Sequence, residues 1–264
     1  MSSSALADAF ERVRKNVVLV EVHATHLSTG SRGTGTIFAC VANEHHGRMP
    51  FILTAAHVVK HPERTSAVYR IFRAGQETGE RCLSFEHDGT TNDGPRVLWN
   101  LDPRVDLGAI IAPASYKDGT SFFLPDEFDG KEMLAGLPMM PRNLLLGEGT
   151  RVAWAGYPSA ASDVLGEPVL CYYEGVVAHV RNDRDAPVYL LDGHNDCGVS
   201  GGPVWRWCED FNRVELVGVI TAYCHSRASL SGFVLAIAVN PFVAMFENVW
   251  LRRAGGEPSA PAGP

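Results

Sequence analysis

Apolar residues along this chain gather into short runs, each bounded by Gly, Asn, Asp, Ser or Pro, and few stretches sustain a helical period. Val17 to Ala24 (VVLVEVHA) alternates apolar with polar positions and predicts a first strand. Runs rich in β-branched and aromatic residues follow at Gly35 to Ala42, Phe51 to Ala55, Ala67 to Phe72 and Leu107 to Ala112. A second set occupies Arg151 to Gly156, Val169 to Val180, Val188 to Leu191, Pro203 to Trp207, Val214 to Ala222 and Gly232 to Val239. The pattern predicts an all-β protein built as two strand-rich units.

Between the sets the chain loses any period and collects prolines and glycines, which reads as a connector. The expected organisation is a helical lead-in over 1–15, a first β-unit over 16–125, a connector over 126–149 and a second β-unit over 150–253. PFVAMFENVWLRR, from Pro241 to Arg253, has apolar residues at helical spacing after a proline and predicts a C-terminal helix within the second unit. The tail, 254–264 (AGGEPSAPAGP), has the composition of a disordered segment.

Composition narrows the function classes. Of the 264 residues, 45% are hydrophobic and 20% charged, as in ordinary soluble domains. With 23 basic against 30 acidic residues the net charge is -7, which argues against a broad nucleic-acid surface. The first residues, MSSSALADAF, lack the features of a secretory signal, and no run of about 18 apolar residues suggests a membrane span. The expected location is therefore the cytoplasm, with no membrane partner. Six cysteines (Cys40, Cys82, Cys171, Cys197, Cys208, Cys224) lack zinc-site spacing or disulfide-scaffold density and read as thiols. His45 and His46 have no partner at metal-ligand spacing and read as a solvated loop. No metal or organic cofactor is expected.

One stretch stands apart. NDCGVSGGP, from Asn195 to Pro203, sets a serine among three glycines between two predicted strands. A serine hydroxyl becomes a nucleophile at neutral pH when a base lies within hydrogen-bond reach and an acid orients that base. TAAHVV supplies His57 at the end of an apolar run, and RVDLGAII supplies Asp106 at the start of another, where its carboxylate can be largely buried. Asp102, four residues earlier, competes for the acid role, but it precedes Pro103 and reads as a turn residue.

These pieces, with GTGTIF, RVAWAGYP, YEGVVAHV, GVSGGPVW, LVGVITAY and GFVLAIAVN, resemble the chymotrypsin/trypsin-like serine peptidases, in particular the bacterial branch containing the HtrA protease domain. The resemblance runs from about Val17 to Pro241. It implies two six-stranded antiparallel β-barrels with the active site in the cleft between them, and a serine endopeptidase acting on a protein or peptide substrate. By motif, Ser200 is the expected nucleophile, His57 the base and then acid, and Asp106 the group that fixes the histidine tautomer. The backbone N–H groups of Gly198 and Ser200 are the expected oxyanion hole, and glycine at 198 permits the positive φ such a turn requires.

The same resemblance places His194, Cys197, Ile220, Thr221, Ala222 and Tyr223 along the substrate site, with substrate backbone pairing to Thr221–Tyr223. His194 stands where trypsin carries its basic-selecting aspartate, so a trypsin-type preference is not expected. Val199 replaces the aspartate that trypsin pairs with a freed N-terminus, so activation by N-terminal cleavage is not expected either; loop ordering or an activating protein partner are the remaining modes of control. Cys197 and Cys224 fall near positions that extracellular relatives bridge, yet in a reducing compartment they are expected as free thiols. Two other readings stay open: a catalytically idle fold that binds peptides, and a protease effector of a bacterial stress or defence system, silent without its partner.

Overall fold

A computed structural model describes residues 3–24, 30–43, 47–60, 66–73, 82–87, 96–99, 105–112, 117, 140, 144–182, 186–224 and 232–239. The expected C-terminal helix over 241–253, the tail over 254–264 and most of the 126–149 connector lie outside the described residues, as do Asp102, His45 and His46. Among the described residues no helix is long and apolar enough to cross a membrane.

The chain opens with helix α1 (Ser3–Asn16) and then runs through seven strands: β1 (Val17–Ala24), β2 (Gly30–Asn43), β3 (Gly47–Thr54), β4 (Ala67–Arg73), β5 (Leu83–His87), β6 (Arg96–Trp99) and β7 (Gly108–Ile111). A four-residue helix, α2 (Ala56–Val59), follows β3. The strands form one antiparallel sheet in the order β5-β4-β1-β2-β3-β7-β6. The second unit holds β8 (Arg151–Gly156), helix α3 (Ser159–Leu165), β9 (Cys171–Arg181), β10 (Val188–Asp192), β11 (Pro203–Cys208), β12 (Arg213–Cys224) and β13 (Phe233–Ala238). Its six strands close into a barrel ordered β10-β13-β12-β11-β8-β9. The two-unit β architecture expected from the resemblance is therefore present. The first unit differs from a six-stranded barrel in detail, as a half-barrel with seven strands.

Strand periodicity explains how two units share so much buried surface. Successive side chains on a strand face opposite ways, and here both faces meet apolar neighbours. On β1, Val18, Val20 and Val22 enter the first unit's own core, with Ile37, Ile52, Tyr69, Ile71 and Ile110. Val17 and Leu19 point the other way, into a second cluster with Phe51, Leu53, Ala155, Tyr157, Leu216 and Val219. That cluster is the seam between the units. On β8 the same alternation sends Val152 and Trp154 into the barrel's interior and Ala155 into the seam. Burial on both faces is why VVLV at the head of β1 is a continuous apolar run, where simple alternation predicts an exposed face.

Helix α1 leads into the first sheet yet packs on the second unit: Phe10 meets Tyr172 and Trp205 edge-on, with centroids 5.0 and 5.7 Å apart. Its Ala9 and Val13 join the seam.

Trp154 is fully buried in the barrel and stacks on Tyr173, with ring centroids 6.1 Å apart. Its truncation in Trp154→Ala is expected to cost about 3–5 kcal/mol, the range for large-to-small aromatic changes in a core. Urea unfolding of variant and parent checks this.

Candidate active site

Strand register decides which loops meet. Thr54 at the end of β3 pairs with Gly108 at the start of β7 and with Gly35 in β2. Antiparallel pairing therefore gathers residues just after 54, just before 108 and just before 35 at one end of the first sheet. Those residues are α2 with His57, Asp106, and the pair Gly33–Thr34.

Helix α2 is short but firmly seated. Ala56, Val58 and Val59 are buried, while His57 faces outward. The Ser31 hydroxyl donates to the Val58 carbonyl at 2.5 Å, and the Tyr69 hydroxyl donates to the Val59 carbonyl at 2.8 Å. His57 donates its backbone N–H to Asp106 Oδ1 at 2.9 Å, and its ring Nδ1 lies 2.6 Å from Asp106 Oδ2. The Asp106 side chain is 36% exposed, so the carboxylate expected from the sequence to be largely buried is half-buried. Burial pushes this carboxyl upward, but the hydrogen bond and charge of the His57 ring and the amides of His57 and Ala56 outweigh it, and the group sits below its ordinary range.

The turn carrying Ser200 lies against the same end of the sheet. Thr34 donates its N–H to the Ser200 carbonyl at 2.8 Å. Its hydroxyl donates to the Gly198 carbonyl at 2.9 Å and accepts from the Tyr157 N–H at 3.0 Å. Its own carbonyl accepts from the Thr54 hydroxyl at 2.7 Å. A Cβ built on Gly33 would stand 2.5 Å from Val58 Cγ2 and 2.9 Å from the Ser200 carbonyl oxygen. Gly33 is thus the thin wall between α2 and the serine turn.

Within the turn, each carbonyl that precedes an expected oxyanion amide has a donor. Cys197 accepts from the Ser159 N–H at 2.7 Å, and Val199 accepts from the Gly202 N–H at 2.9 Å. The C=O and N–H of a trans peptide point in opposite directions, so these bonds turn the N–H groups of Gly198 and Ser200 the other way. Gly198 (φ 92°) and Gly201 (φ 89°) supply the left-handed conformations. A side chain at Gly201 would also collide with the Thr34 carbonyl, 1.9 Å from its Cβ position. Val199 is fully buried in the barrel interior beside Trp154, Val204 and Ile220.

The expected substrate residues lie along two neighbouring segments. Ile220 is buried, and its backbone pairs with Gly201 and Gly202. Strand β11 begins at Pro203 opposite Val219, so antiparallel β12 runs on past that start through Thr221, Ala222 and Tyr223. Thr221 sits at an irregularity in the β12–β13 ladder, where Ile220 pairs with Ala236 and Ala222 with Leu235. Tyr223 accepts the Gly232 N–H at its hydroxyl, 2.9 Å away, and its ring meets His194 edge-on at 6.4 Å. His194 also lies 6.4 Å from the Tyr173 ring, which gives this wall an aromatic row. Cys197 and Cys224 are exposed, and both are free thiols.

No family model matches the chain, and no curated protein matches it in sequence. Solved structures do. The Rv3671c protease from M. tuberculosis, in its active form, superposes with a TM-score of 0.53 at 17% identity, over 98% of this chain and 89% of that one. AlgW, an HtrA-type protease determined with a decapeptide, gives 0.55 at 14% identity, over 94% and 67%. The fold is that of the trypsin-like serine proteases. In the trypsin-like fold, two polar residues that sequence reasoning passed over carry much of the geometry: Thr34, hidden inside GTGTIF, and Asp196, whose carboxylate accepts the N–H of Cys197 at 2.7 Å and of Ala160 at 3.2 Å. An acidic residue beside a glycine-rich turn was the available signal for the second.

A folded-state carboxyl held below its ordinary value contributes stability that is complete above the ordinary carboxylate range and lost as pH falls through the lowered value. His57→Ala removes the ring's hydrogen bond and charge but leaves the burial. Asp106 is then expected to titrate at a higher pH than in the parent, and the part of the acid loss of stability that it contributes to shrink. Carboxyl NMR titration of the two proteins checks the direction.

Proposed function

We propose that this protein is a serine endopeptidase that hydrolyses peptide bonds through an acyl-enzyme on Ser200. The observation that carries the reading is the His57–Asp106 pair, at 2.6 Å, with His57 on a helix that meets the Ser200 turn across Gly33. With Nδ1–H donated to Asp106, the other ring nitrogen is the basic one. It takes the Ser200 hydroxyl proton as Oγ bonds to the substrate carbonyl carbon. Charge then develops on the carbonyl oxygen, and the N–H groups of Gly198 and Ser200 stabilise it. His57 returns the proton to the leaving amine nitrogen as the C–N bond breaks. Water, deprotonated by His57, then attacks the ester and restores the Ser200 hydroxyl.

Substrate enters, in this reading, as an extended strand along Thr221–Tyr223, beyond the start of β11. His194, Cys197, Ile220, Ala222 and Tyr223 surround the side chain before the cut, and the aromatic row of Tyr173, His194 and Tyr223 favours a small or medium apolar residue there. The free thiols fit a reducing compartment, and we assign the protein to the cytoplasm.

Labelling with a fluorophosphonate, which reacts with an activated serine, and cleavage of a peptide library test the proposal. The parent protein is expected to label and cleave. Ser200→Ala is expected to abolish labelling and to lower kcat by on the order of 10⁶-fold with little change in melting temperature. Asp106→Asn is expected to lower kcat by about 10⁴-fold. Cleavage retained in Ser200→Ala defeats the assignment; a parent that binds peptides without labelling favours the idle module, and labelling that appears with an added protein favours the partner-controlled effector.

A further inference from the structure

Resting on the peptidase reading, we propose that Asp196 is the positioning residue of the oxyanion site, clamping helix α3 to the serine turn so that the Gly198 amide faces the substrate. The Gly198 N–H belongs to the Cys197–Gly198 peptide, and its direction is fixed by whatever holds the carbonyl at the peptide's other side. That carbonyl is held by the Ser159 N–H, the first amide of α3. The orientation of the oxyanion amide therefore depends on where α3 begins.

Helix α3 has no side-chain cap at its N-terminus. Pro158 precedes it with extended geometry and no side-chain cap hydrogen bond. The first amides of a helix have no partner within it, and here two of them are satisfied from outside, both by the serine turn. Ser159 donates to the Cys197 carbonyl, and Ala160 donates to Asp196 Oδ2 at 3.2 Å. The second oxygen of the same carboxylate, Oδ1, accepts the Cys197 N–H at 2.7 Å. One side chain thus grips the helix with one oxygen and, with the other, the residue whose carbonyl must stay in place. The fit is close: a Cβ at Gly198 would stand 2.4 Å from the Tyr157 carbonyl oxygen and 3.0 Å from Ser159 Oγ.

The neighbouring residue cannot do this work. Val199 anchors the turn by packing in the barrel interior but brings no polar side-chain atom. Packing fixes where the turn sits, whereas the rotation of the Cys197–Gly198 peptide is set by the bond from the Ser159 N–H. Asp196 supports that bond by holding the amides next to it, those of Cys197 and Ala160.

The test compares the full-length parent with Asp196→Ala and Asp196→Asn. Steady-state kinetics on a cleaved peptide are paired with binding of that peptide as an aldehyde, whose adduct needs the oxyanion site, and as the matching alcohol, which does not. In Asp196→Ala, kcat and aldehyde affinity are each expected to fall about 10²-fold, the effect of losing one oxyanion donor. KM, alcohol binding and melting temperature are expected to change little. Asp196→Asn keeps one acceptor oxygen and is expected to recover part of both losses. Parent-like kcat in Asp196→Ala, or a parallel fall in alcohol binding and melting temperature in both variants, overturns the proposal while leaving the peptidase reading intact. A parent that neither labels nor cleaves removes that reading and this inference together.

Discussion

Three hydrogen bonds on one threonine hold the molecule's two halves in a fixed relation. Thr34 is fully buried, at one end of the first sheet, and its N–H and hydroxyl bond to the second unit at Ser200, Gly198 and Tyr157, while its carbonyl accepts from Thr54 in its own unit. A buried polar group left without a partner costs about 1–3 kcal/mol, so sliding one unit over the other breaks several such bonds at once. The apolar seam supplies most of the attraction between the units, but an apolar contact is tolerant of small shifts. Direction comes from the threonine.

That division of labour repeats at the serine turn. Val199 is held by packing, and the peptides on either side of it are held by bonds from Ser159, Gly202 and Thr34. Gly201 lets the backbone pass so near the Thr34 carbonyl that no side chain fits. The His57–Asp106 pair belongs wholly to the first unit, whereas Ser200 and its flanking amides belong to the second. The candidate site thus spans the seam, and its geometry is inherited from the contacts that join the two units.

Most strands are legible because their apolar runs are long and end at strong turn residues: Val17–Ala24 and Arg151–Gly156 have the expected bounds, and seven others agree within two residues at each end. β5 (LSFEH) and β6 (RVLW) escape because they hold only two and three apolar residues, too few to stand out as a run. Helix α3 escaped for a different reason. Of its seven residues only Ser162 is buried, while Val164 and Leu165 are exposed, so its sequence carries no amphipathic period to detect. His57, Asp106 and Ser200 could be picked out because their side chains have unusual neighbours in sequence. Thr34 acts through partners more than a hundred positions away, and nothing local marks it, whereas for Asp196 the local signal is its place beside a glycine-rich turn and the distant partner, Ala160, is 36 positions away.

The serine turn is steered chiefly by peptide groups, which every residue type possesses. Substitutions can accumulate around such a device as long as the main chain keeps its path, leaving few letters in common between distant descendants. A fold shared at 17% identity is then written in the trace of the backbone rather than in the alphabet of side chains.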